Sequence, residues 1–450
     1  MSRFTRRDFL RIGAGTIAAG AAAKMTLLEP QPLWGAGRVV APSDRVRFAS
    51  IGTGTRGCEL LAASLLVPGV ECVAACDLYD SRHEAAQENI QKKIPVTRNY
   101  HEILERQDVD AVIVAVTDHQ HRRVVVDACA AGKDVYCEKP MSHTVEDGFA
   151  IVEAVEKNKR ILQVGSQRVS SIVYEKARDL YASGAIGDVF YIEGSADRNS
   201  ASGAWVYPVP PDASAETIDW REYLVGAPPR AFDAIRFFRW RCFTDYGEGL
   251  AGDLFVHLLS GIYSIVGVSE APGRAQTAGG LFRWKDGRDY PDVIETLYDF
   301  PNFRILLRCN LNNSAGEIIR LQGTKGTLEI NGQTLTYTPQ TTVEGPETYS
   351  TKGWPARLRN EYLAKWDAEH PVPAPLDYQV IEGETFTPPA TYSDVPAHQA
   401  NFFNAVRSRK APVENEVFGN HAAIGCHMAN YSYFQKTAAT WDAATKTIRG

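Results

Sequence analysis

The stretch Arg45–Ser64, RVRFASIGTGTRGCELLAAS, predicts how the surrounding chain folds. A short strand pattern runs directly into Gly52, Gly54 and Gly57, which have the spacing G-x-G-x-x-G, and helical apolar spacing follows. Glycines at these places permit a tight turn and let the backbone approach a pyrophosphate at the helix N-terminus. The stretch therefore predicts the first strand, turn and helix of a dinucleotide-binding unit.

The alternation of strands and helices continues to about residue 167. The segments GVECVAA, DVDAVIVAV and KDVYC have strand patterns, and helical patterns lie between them. A strand that is apolar on both faces is typical of a parallel sheet, and regular alternation predicts right-handed crossovers. We predict an α/β fold with a doubly wound Rossmann domain over residues 44–167.

The acidic residue Asp77 ends the second predicted strand, where Rossmann domains carry the acid that binds the ribose. Its carboxylate would accept hydrogen bonds from the ribose hydroxyls and repel a 2′-phosphate. This favours NAD as the cofactor. Arg82 could reach such a phosphate, which leaves NADP open.

The strand patterns change after about residue 168. Segments such as EIIRLQGTKGTLEINGQTLTYTP alternate with period two, which predicts a mostly antiparallel sheet with one face in water. An aromatic, proline-rich insertion, AWVYPVPPDASAETIDWREYLVGAPPRAF, interrupts them. We predict a second α/β domain for substrate binding and oligomerisation over residues 168–395, and C-terminal helices over residues 396–450.

The N-terminal residues 1–40 differ from the rest of the chain. A basic start, MSRFTRRDFLR, precedes a weakly apolar run of small residues, which is the layout of an export signal. The pair Arg6-Arg7 resembles a twin-arginine signal. We therefore expect a signal and spacer here, and a periplasmic or otherwise exported protein.

Composition excludes several classes of partner. A net charge of −6 over 450 residues provides no basic field for nucleic acid. After the signal no stretch approaches 18 continuous apolar residues, so no membrane span is predicted. The eight cysteines are scattered without a C-x-x-C pair or histidine-flanked spacing, so we predict no structural metal and no obligatory disulfide.

Two short motifs carry candidate chemistry. Asp253 and His257 are four residues apart on a predicted helix, so they share a face, and a carboxylate that fixes an imidazole suits a general base. The spacing alone equally allows Asp253 to charge the helix start while His257 packs against the sheet. In DVYCEKPM (residues 134–141), Lys139 is either a solvated turn residue or a fixed charge that faces a reacting group.

The ordered motifs IGTGTRG, CDLYD, VTDHQH, YCEKPMSHT, VGSQR, DYGEGLAGDLFVH and GTKGTLEI resemble the glucose–fructose oxidoreductase / inositol dehydrogenase (Gfo/Idh/MocA) family. The resemblance spans nearly the whole chain after the signal. It implies a Rossmann domain, a C-terminal α/β domain with a large open sheet, and assembly into a homodimer or homotetramer. It also implies a cis peptide before Pro140.

By motif position, the resemblance implies that Lys139 lies beside the nicotinamide and the substrate hydroxyl, where its charge would stabilise the developing alkoxide. His257, oriented by Asp253, would accept the proton, although some family members have tyrosine there. The residues predicted to bind the cofactor are Gly52, Gly54, Thr55, Arg56, Gly57, Asp77, Thr117, Asp118, His121, Glu138, Lys139 and Gln167. Arg239, Trp240, Tyr246 and His257 are candidates for the substrate wall, with packing against the sheet as the alternative for Trp240.

The predicted function is therefore an NAD(P)-dependent oxidoreductase with a tightly retained cofactor. Its substrate would be a secondary hydroxyl of a sugar, glycoside or cyclitol. The alternative is an NAD-dependent glycoside hydrolase that works by transient oxidation, elimination and re-reduction. A non-enzymatic sugar-binding protein is a third possibility, against which the intact Lys139, Asp253 and His257 argue.

Overall fold

The computed structural model describes residue 41 and residues 44–268, 270–340, 346–370 and 383–450. The predicted signal and spacer at residues 1–40 lie outside the described residues. Within the described part, the strands form one six-stranded and one ten-stranded sheet. No helix among the described residues is both long and apolar enough to cross a membrane.

The six-stranded sheet is parallel, with the strand order β3-β2-β1-β4-β5-β6. Its strands are β1 Val46–Ile51, β2 Val70–Cys76, β3 Val96–Thr97, β4 Ala111–Val114, β5 Asp134–Cys137 and β6 Leu162–Val164. The connecting helices are α1 Thr55–Ser64, α2 Asp80–Ile90, α3 Tyr100–Leu104, α4 Asp118–Ala130 and α5 Val145–Asn158. The order in which the chain adds strands reverses between β1 and β4. Doubly wound sheets bind their ligands at this switch point. The predicted Rossmann topology is confirmed.

Both faces of this sheet are covered, which explains why β4 and β5 are buried along their whole length. One face packs against α4 and α5 through residues such as Val125 and Ile151. A helix from near the C-terminus, α11 (Asp394–Ser408), helps to complete the other face, because Phe403 packs on Phe48 with ring centroids 5.6 Å apart. The last part of the chain thus contributes directly to the core of the first domain.

The ten-stranded sheet has the order β14-β13-β12-β11-β7-β10-β9-β8-β15-β16. Its strands are β7 Val189–Asp197, β8 Arg274–Gly280, β9 Val293–Asp299, β10 Arg304–Asn310, β11 Gly316–Gly323, β12 Gly326–Asn331, β13 Thr334–Pro339, β14 Glu384–Phe386, β15 Ala439–Asp442 and β16 Thr447–Arg449. Strands β7 and β10 are parallel, and the other eight neighbouring pairs are antiparallel. The predicted large, mostly antiparallel sheet is confirmed.

Buried and exposed side chains alternate along the strands of this sheet, so one of its faces is buried. In β9 the side chains of Ile294, Thr296 and Tyr298 are buried, whereas Glu295 and Leu297 between them are exposed. Helices cover the buried face of the sheet, and the Tyr298 hydroxyl donates to a helix carbonyl 3.0 Å away. The remaining helices are α6 Ile172–Ala182, α7 Trp220–Tyr223, α8 Ala234–Phe238, α9 Val256–Val266, α10 Ala356–Glu369 and α12 Glu416–Gln435, and a π-helical segment, Ala251–Phe255, leads into α9.

The aromatic, proline-rich insertion crosses from the second domain onto the Rossmann domain. The Asp219 N–H donates to the Leu78 carbonyl at 2.9 Å, and Ile218 forms a β-bridge with Tyr79. Further along, the His119 N–H donates to the Tyr246 carbonyl at 3.3 Å. The insertion therefore forms a wall beside the carboxyl ends of the parallel strands.

The eight cysteines are unpaired, and seven of them are buried. Within the part of the chain that the structure describes, no three histidine, cysteine, aspartate or glutamate side chains are grouped closely enough to hold a metal ion. Free buried thiols of this kind pack as small apolar groups.

One buried histidine predicts how acid affects stability. His398 in α11 binds the Val164 carbonyl and the Ser170 hydroxyl, each at 2.7 Å, and burial lowers its pKa from 6.5 to about 4. Between these values the unfolded chain binds a proton that the folded protein does not, so this contribution to stability is complete above pH 6.5 and declines as the pH falls. Compared with His398→Gln, the wild type should therefore lose about 2 kcal/mol more of its unfolding free energy when the pH falls from 7 to 5. Denaturant titrations at both pH values would measure this, and a constant difference would contradict it.

Candidate active site

A cavity of about 980 Å³ lies at the carboxyl ends of β1, β2, β4 and β5, between the two domains. The Rossmann domain contributes the glycine turn, which we define as Gly52, Gly54 and Gly57, together with Asp77, Arg82, Thr117, Asp118, Glu138, Lys139 and Gln167. From the second domain it is lined by Arg198, Tyr207, Phe237, Phe238, Trp240, Arg241 and His257. The cavity thus begins at the switch point of the parallel sheet and ends against the second domain.

The glycine turn fits a dinucleotide pyrophosphate. Gly52 has φ +90°, and a Cβ atom there would lie 2.4 Å from the Ala115 carbonyl oxygen, while one on Gly57 would lie 2.0 Å from the Gly52 oxygen. A Cβ atom on Gly54 would instead lie in van der Waals contact with the Arg82 guanidinium, 3.4 Å from its carbon. Helix α1 begins at the next residue without a side-chain cap. Its first N–H groups are therefore available to an anion, as pyrophosphate binding requires.

Asp77 is buried and organises the turn. Its Oδ2 accepts a hydrogen bond from the Thr53 N–H at 2.7 Å, and its Oδ1 accepts from Tyr79 N–H at 3.1 Å and from Arg82 Nη1 at 3.3 Å. Arg82 is thereby paired, and its guanidinium lies over the Phe237 ring at 5.1 Å. A carboxylate at this place, with the nearby arginine already paired to it, suits the ribose of NAD better than a 2′-phosphate.

Arg56, Glu138 and Gln167 are joined to one another along the cavity. Arg56 Nε donates to Glu138 Oε1 at 2.8 Å, and its Nη2 donates to Gln167 Oε1 at 3.3 Å. Thr55, at the start of α1, also lines the cavity. These side chains lie where they could contact a bound dinucleotide, so their predicted role stays a prediction.

The loop after β4 meets only part of the expectation. Thr117 and Asp118 line the cavity, and burial raises the pKa of the Asp118 carboxyl well above its usual value. His121 does not line it: the side chain is fully buried, and its Nδ1 lies 2.8 Å from the Pro140 carbonyl. The prediction that His121 contacts the cofactor is therefore wrong, because its imidazole supports the segment that carries Lys139. The Lys139–Pro140 peptide is cis, as the resemblance implied.

Lys139 is held by Asp253 across the domain boundary. Its Nζ donates to Asp253 Oδ1 at 2.8 Å and to the Asp253 carbonyl at 2.9 Å, and Arg241 Nε donates to the same Oδ1 at 2.9 Å. Burial alone would raise the pKa of Asp253, but the charges of Lys139, Arg241 and Arg198 lower it well below its usual value. The solvated-turn interpretation of Lys139 is thus excluded, since its ammonium is a fixed charge on the cavity wall.

His257 also lines the cavity, but Asp253 does not orient it by a hydrogen bond. Its Nδ1 is buried without a hydrogen-bond partner in the described part of the chain. Burial and the charges of Lys139 and Arg168 lower the pKa of His257 well below 6.5, although Asp253 opposes this. The prediction that Asp253 orients His257 stays a prediction without a hydrogen bond to support it, because Lys139 and Arg241 bind the carboxylate. A neutral imidazole that faces the cavity can still accept a proton.

The predicted substrate wall is corrected in two places. Trp240 lines the cavity and stacks under the Arg241 guanidinium at 4.2 Å. Tyr246 is fully buried against Tyr223, with ring centroids 5.0 Å apart, and so cannot contact a substrate. Arg239 does not line the cavity, because its Nε donates to the Tyr207 carbonyl at 2.9 Å.

Arg198, Tyr207 and Arg241 are cavity residues that the sequence interpretation missed. In the segment FRWRCF two arginines flank the tryptophan, and the sequence does not show which of them faces the cavity. In the structure it is Arg241, which lies in the 3-10 turn Trp240–Cys242. Arg198 directly follows β7, so its position at a strand end was the one available signal. Burial raises the pKa of the Tyr207 hydroxyl, and the charges of Arg241 and Arg198 oppose that shift.

The first domain matches a known protein family. Residues 46–166 match the GFO_IDH_MocA family model, described as an oxidoreductase family with an NAD-binding Rossmann fold. This part of the chain is therefore an NAD-binding Rossmann domain. The resemblance to the Gfo/Idh/MocA family is confirmed over these residues.

Two relatives each match about a third of the chain. Over 146 residues the chain is 34% identical to inositol 2-dehydrogenase of Salmonella typhimurium, which covers 32% of this chain and 44% of that protein. Over 177 residues it is 30% identical to an alpha-N-acetylgalactosaminidase of Shewanella oneidensis, which covers 36% of this chain and 39% of that protein. The matches thus span less than half the length of each relative.

Two solved structures share the fold over most of the chain. One is a levoglucosan dehydrogenase in complex with NADH, with a TM-score of 0.62 at 16% identity, covering 88% of this chain and 98% of that chain. The other is the aldose-aldose oxidoreductase from Caulobacter crescentus complexed with glycerol, with a TM-score of 0.63 at 16% identity, covering 88% and 99%. At such low identity the likeness establishes the fold alone.

Proposed function

We propose that the whole chain is an NAD-dependent oxidoreductase of the Gfo/Idh/MocA family that acts on a secondary hydroxyl of a sugar, glycoside or cyclitol. The observation that carries the proposal is that Lys139 and His257 line the same cavity as the glycine turn. The match to an inositol 2-dehydrogenase over 32% of the chain supports the substrate class.

In this proposal each polar side chain has a defined task. Bound NAD supplies the acceptor for the hydride that leaves the hydroxyl-bearing carbon. Lys139, preorganised by its two hydrogen bonds to Asp253, would stabilise the negative charge that develops on the hydroxyl oxygen. His257 would accept the hydroxyl proton at an imidazole nitrogen, because its lowered pKa keeps it neutral. Asp253 would then act by positioning Lys139 and would have no direct bond to the imidazole.

A panel of neutral monosaccharides, uronic acids, methyl glycosides, methyl uronides and inositols tests the proposal. The NAD-loaded protein is mixed with each compound, and the absorbance of reduced nicotinamide is recorded. The proposal is supported if at least one of these compounds reduces the bound NAD in the wild type and the same compound fails to reduce it in Lys139→Met. A panel without any response, using protein whose bound NAD has been verified, would overturn it.

Asp77 tests how the cofactor is held. Replacement of Asp77 with alanine removes the acceptor for Thr53 N–H and the charge that disfavours a 2′-phosphate. We expect weaker NAD binding and a smaller preference for NAD over NADP, measured by titration of both nucleotides into stripped protein.

Asp110→Ala is the matched control for Asp77→Ala. Asp110 likewise accepts a backbone N–H, that of Arg47 at 2.8 Å, and pairs with the same arginine, but it does not line the cavity. This variant should keep both nucleotide affinities. An unchanged NAD-to-NADP ratio in Asp77→Ala would show that Asp77 does not contact the ribose.

A hydrolase is the second candidate, because the alpha-N-acetylgalactosaminidase matches the chain at 30% identity over 177 residues. It would cleave a glycosidic bond without net redox change. Aglycone release from aryl glycosides without added NAD, and without accumulation of reduced nicotinamide, would favour it. A non-enzymatic sugar-binding protein would give neither signal.

We further propose that a twin-arginine signal exports the folded protein with its dinucleotide already bound. The motif lies at Arg6-Arg7, outside the described residues. A compartment without a free nicotinamide pool would require a retained cofactor and redox-balanced turnover. We expect dinucleotide to remain on the purified protein through extensive dialysis, as measured by ultraviolet absorbance and mass spectrometry. An empty protein that needs added NAD and accumulates NADH would contradict this prediction.

Assembly into a homodimer or homotetramer stays a prediction from the family resemblance. The outer face of the ten-stranded sheet exposes the apolar side chain of Leu297, which alternates with the buried Thr296 and Tyr298. Light scattering of the purified protein would determine the oligomeric state.

A further inference from the structure

Arg198 places an unpaired guanidinium on the cavity wall. The residue follows β7, and its backbone N–H donates to the Asn310 carbonyl at 2.8 Å, which fixes the position of its Cα. Its side chain lines the cavity, and no carboxylate of the described residues pairs with it. Its neighbour Asp197 is already bound to Arg308. The guanidinium is therefore free to bind a ligand.

The same end of the cavity carries more positive than negative charge. Lys139 and Arg241 share the single carboxylate of Asp253, and Arg198 adds a third cation. Asp118 also lines the cavity and interacts with Arg241, so three cations face at most two carboxylates and an excess of positive charge remains. The pyrophosphate of the dinucleotide cannot neutralise this excess, because its site is the glycine turn at the start of α1. Oxidised nicotinamide would add a further positive charge.

Arg241 is also able to bind an anion. It uses Nε for Asp253, and its two terminal nitrogens have no hydrogen-bond partner among the described residues. The Trp240 ring below it, 4.2 Å from the guanidinium carbon, restricts its orientation. A planar guanidinium held in this way presents a pair of donors that matches a carboxylate.

We propose that the substrate is an acidic sugar, such as a uronic acid, an aldonic acid or a uronide, whose carboxylate binds Arg198 and Arg241. This inference rests on the proposed function and specifies its substrate class. Arg198 is exposed, so water solvates its guanidinium until a ligand binds. A neutral sugar that displaced this water would leave the guanidinium without a counter-charge, which is unfavourable. A phosphate ester has a related charge but a tetrahedral shape, and we assign the site to the planar carboxylate.

Matched substrate pairs test the assignment. Methyl glucoside is compared with methyl glucuronide, methyl galactoside with methyl galacturonide, and glucose 6-phosphate serves as the phosphate arm. With the NAD-loaded protein we expect at least one acidic member to have a kcat/KM about tenfold or more above its neutral partner. Arg198→Met should remove most of that ratio, mainly by raising the KM of the acidic compound more than that of its neutral partner.

Arg304→Met is the control for a general loss of charge. Arg304 pairs with Asp299 on the second sheet and does not line the cavity, so this variant should keep the acid-to-neutral ratio. Equal rates for acidic and neutral members, or an unchanged ratio in Arg198→Met, would overturn the inference while leaving the proposed function intact. A preference for the phosphate ester would also overturn it.

A binding measurement decides the inference independently of turnover. Quenching of tryptophan fluorescence is titrated with glucuronate, galacturonate and the corresponding neutral sugars, using wild type and Arg198→Met. Tighter binding of an acidic sugar that Arg198→Met abolishes would support the site even if no compound were oxidised, in which case only the proposed function would fail. Absence of any difference between acidic and neutral sugars would overturn the site.

Discussion

Replacement of Lys139 with methionine is expected to lower turnover by about 10²-fold or more while the dinucleotide stays bound. The ammonium is held on the cavity wall by two hydrogen bonds to Asp253, so it costs little reorganisation when charge develops on the substrate oxygen. Methionine keeps most of the side-chain volume but supplies no charge. Steady-state rates and the nucleotide content of the purified variant measure the two parts of this expectation.

Lys133→Met is the matched control for Lys139→Met. Lys133 is also a buried lysine of the Rossmann domain, and its Nζ donates to the carbonyls of Arg106 and Val109 at 2.7 and 2.9 Å, away from the cavity. This variant should lose stability but keep its turnover per folded molecule. Near-normal turnover in Lys139→Met would show that its ammonium does not act on the reacting oxygen.

Replacement of His257 with phenylalanine is expected to lower kcat by about 10²- to 10⁴-fold, because the general base is lost. The pH profile supplies a second readout. Burial and the charges of Lys139 and Arg168 lower the pKa of His257, so the wild-type rate should stay constant down to pH values well below 6.5. Only then would protonation remove the base.

Arg168→Met should move this acid limb to higher pH. Arg168 is bound to Glu317 and does not line the cavity, so its removal changes the charge near His257 without removing a cavity side chain. Loss of a nearby cation favours the protonated imidazole and so raises the pKa of His257. An acid limb that stays in place in this variant, or one that already lies near 6.5 in the wild type, would show that His257 is not the titrating base.

Local patterns predicted the fold well. The strand–turn–helix at Gly52 and the fully apolar β4 each depend on neighbours in sequence, and the period-two alternation of β9 reflects a single buried face. The docking of α11 onto the Rossmann sheet was not predicted. It depends on the match between Phe403 and Phe48, which are far apart in the chain.

The candidate site was predicted only where a motif specifies it. Lys139 and His257 lie on the cavity as the motifs indicated. The partner of Asp253 could not be inferred from spacing, because Lys139 and Arg241 reach it from other segments and bind more strongly than a neutral imidazole. The same holds for Arg198, because its position near Asp253 without an ion pair to any carboxylate of the described residues depends on contacts between distant segments.

Single-turnover reduction of bound NAD tests the central claim most directly. The NAD-loaded wild type and the loaded Lys139→Met variant are each mixed rapidly with the sugar panel, and the absorbance of reduced nicotinamide is followed. The account predicts a rise in the wild type with at least one sugar and a rise about 10²-fold slower or more in the variant. No rise in the wild type, or equal rates in the two proteins, would contradict the claim that this cavity oxidises a sugar hydroxyl with the help of Lys139.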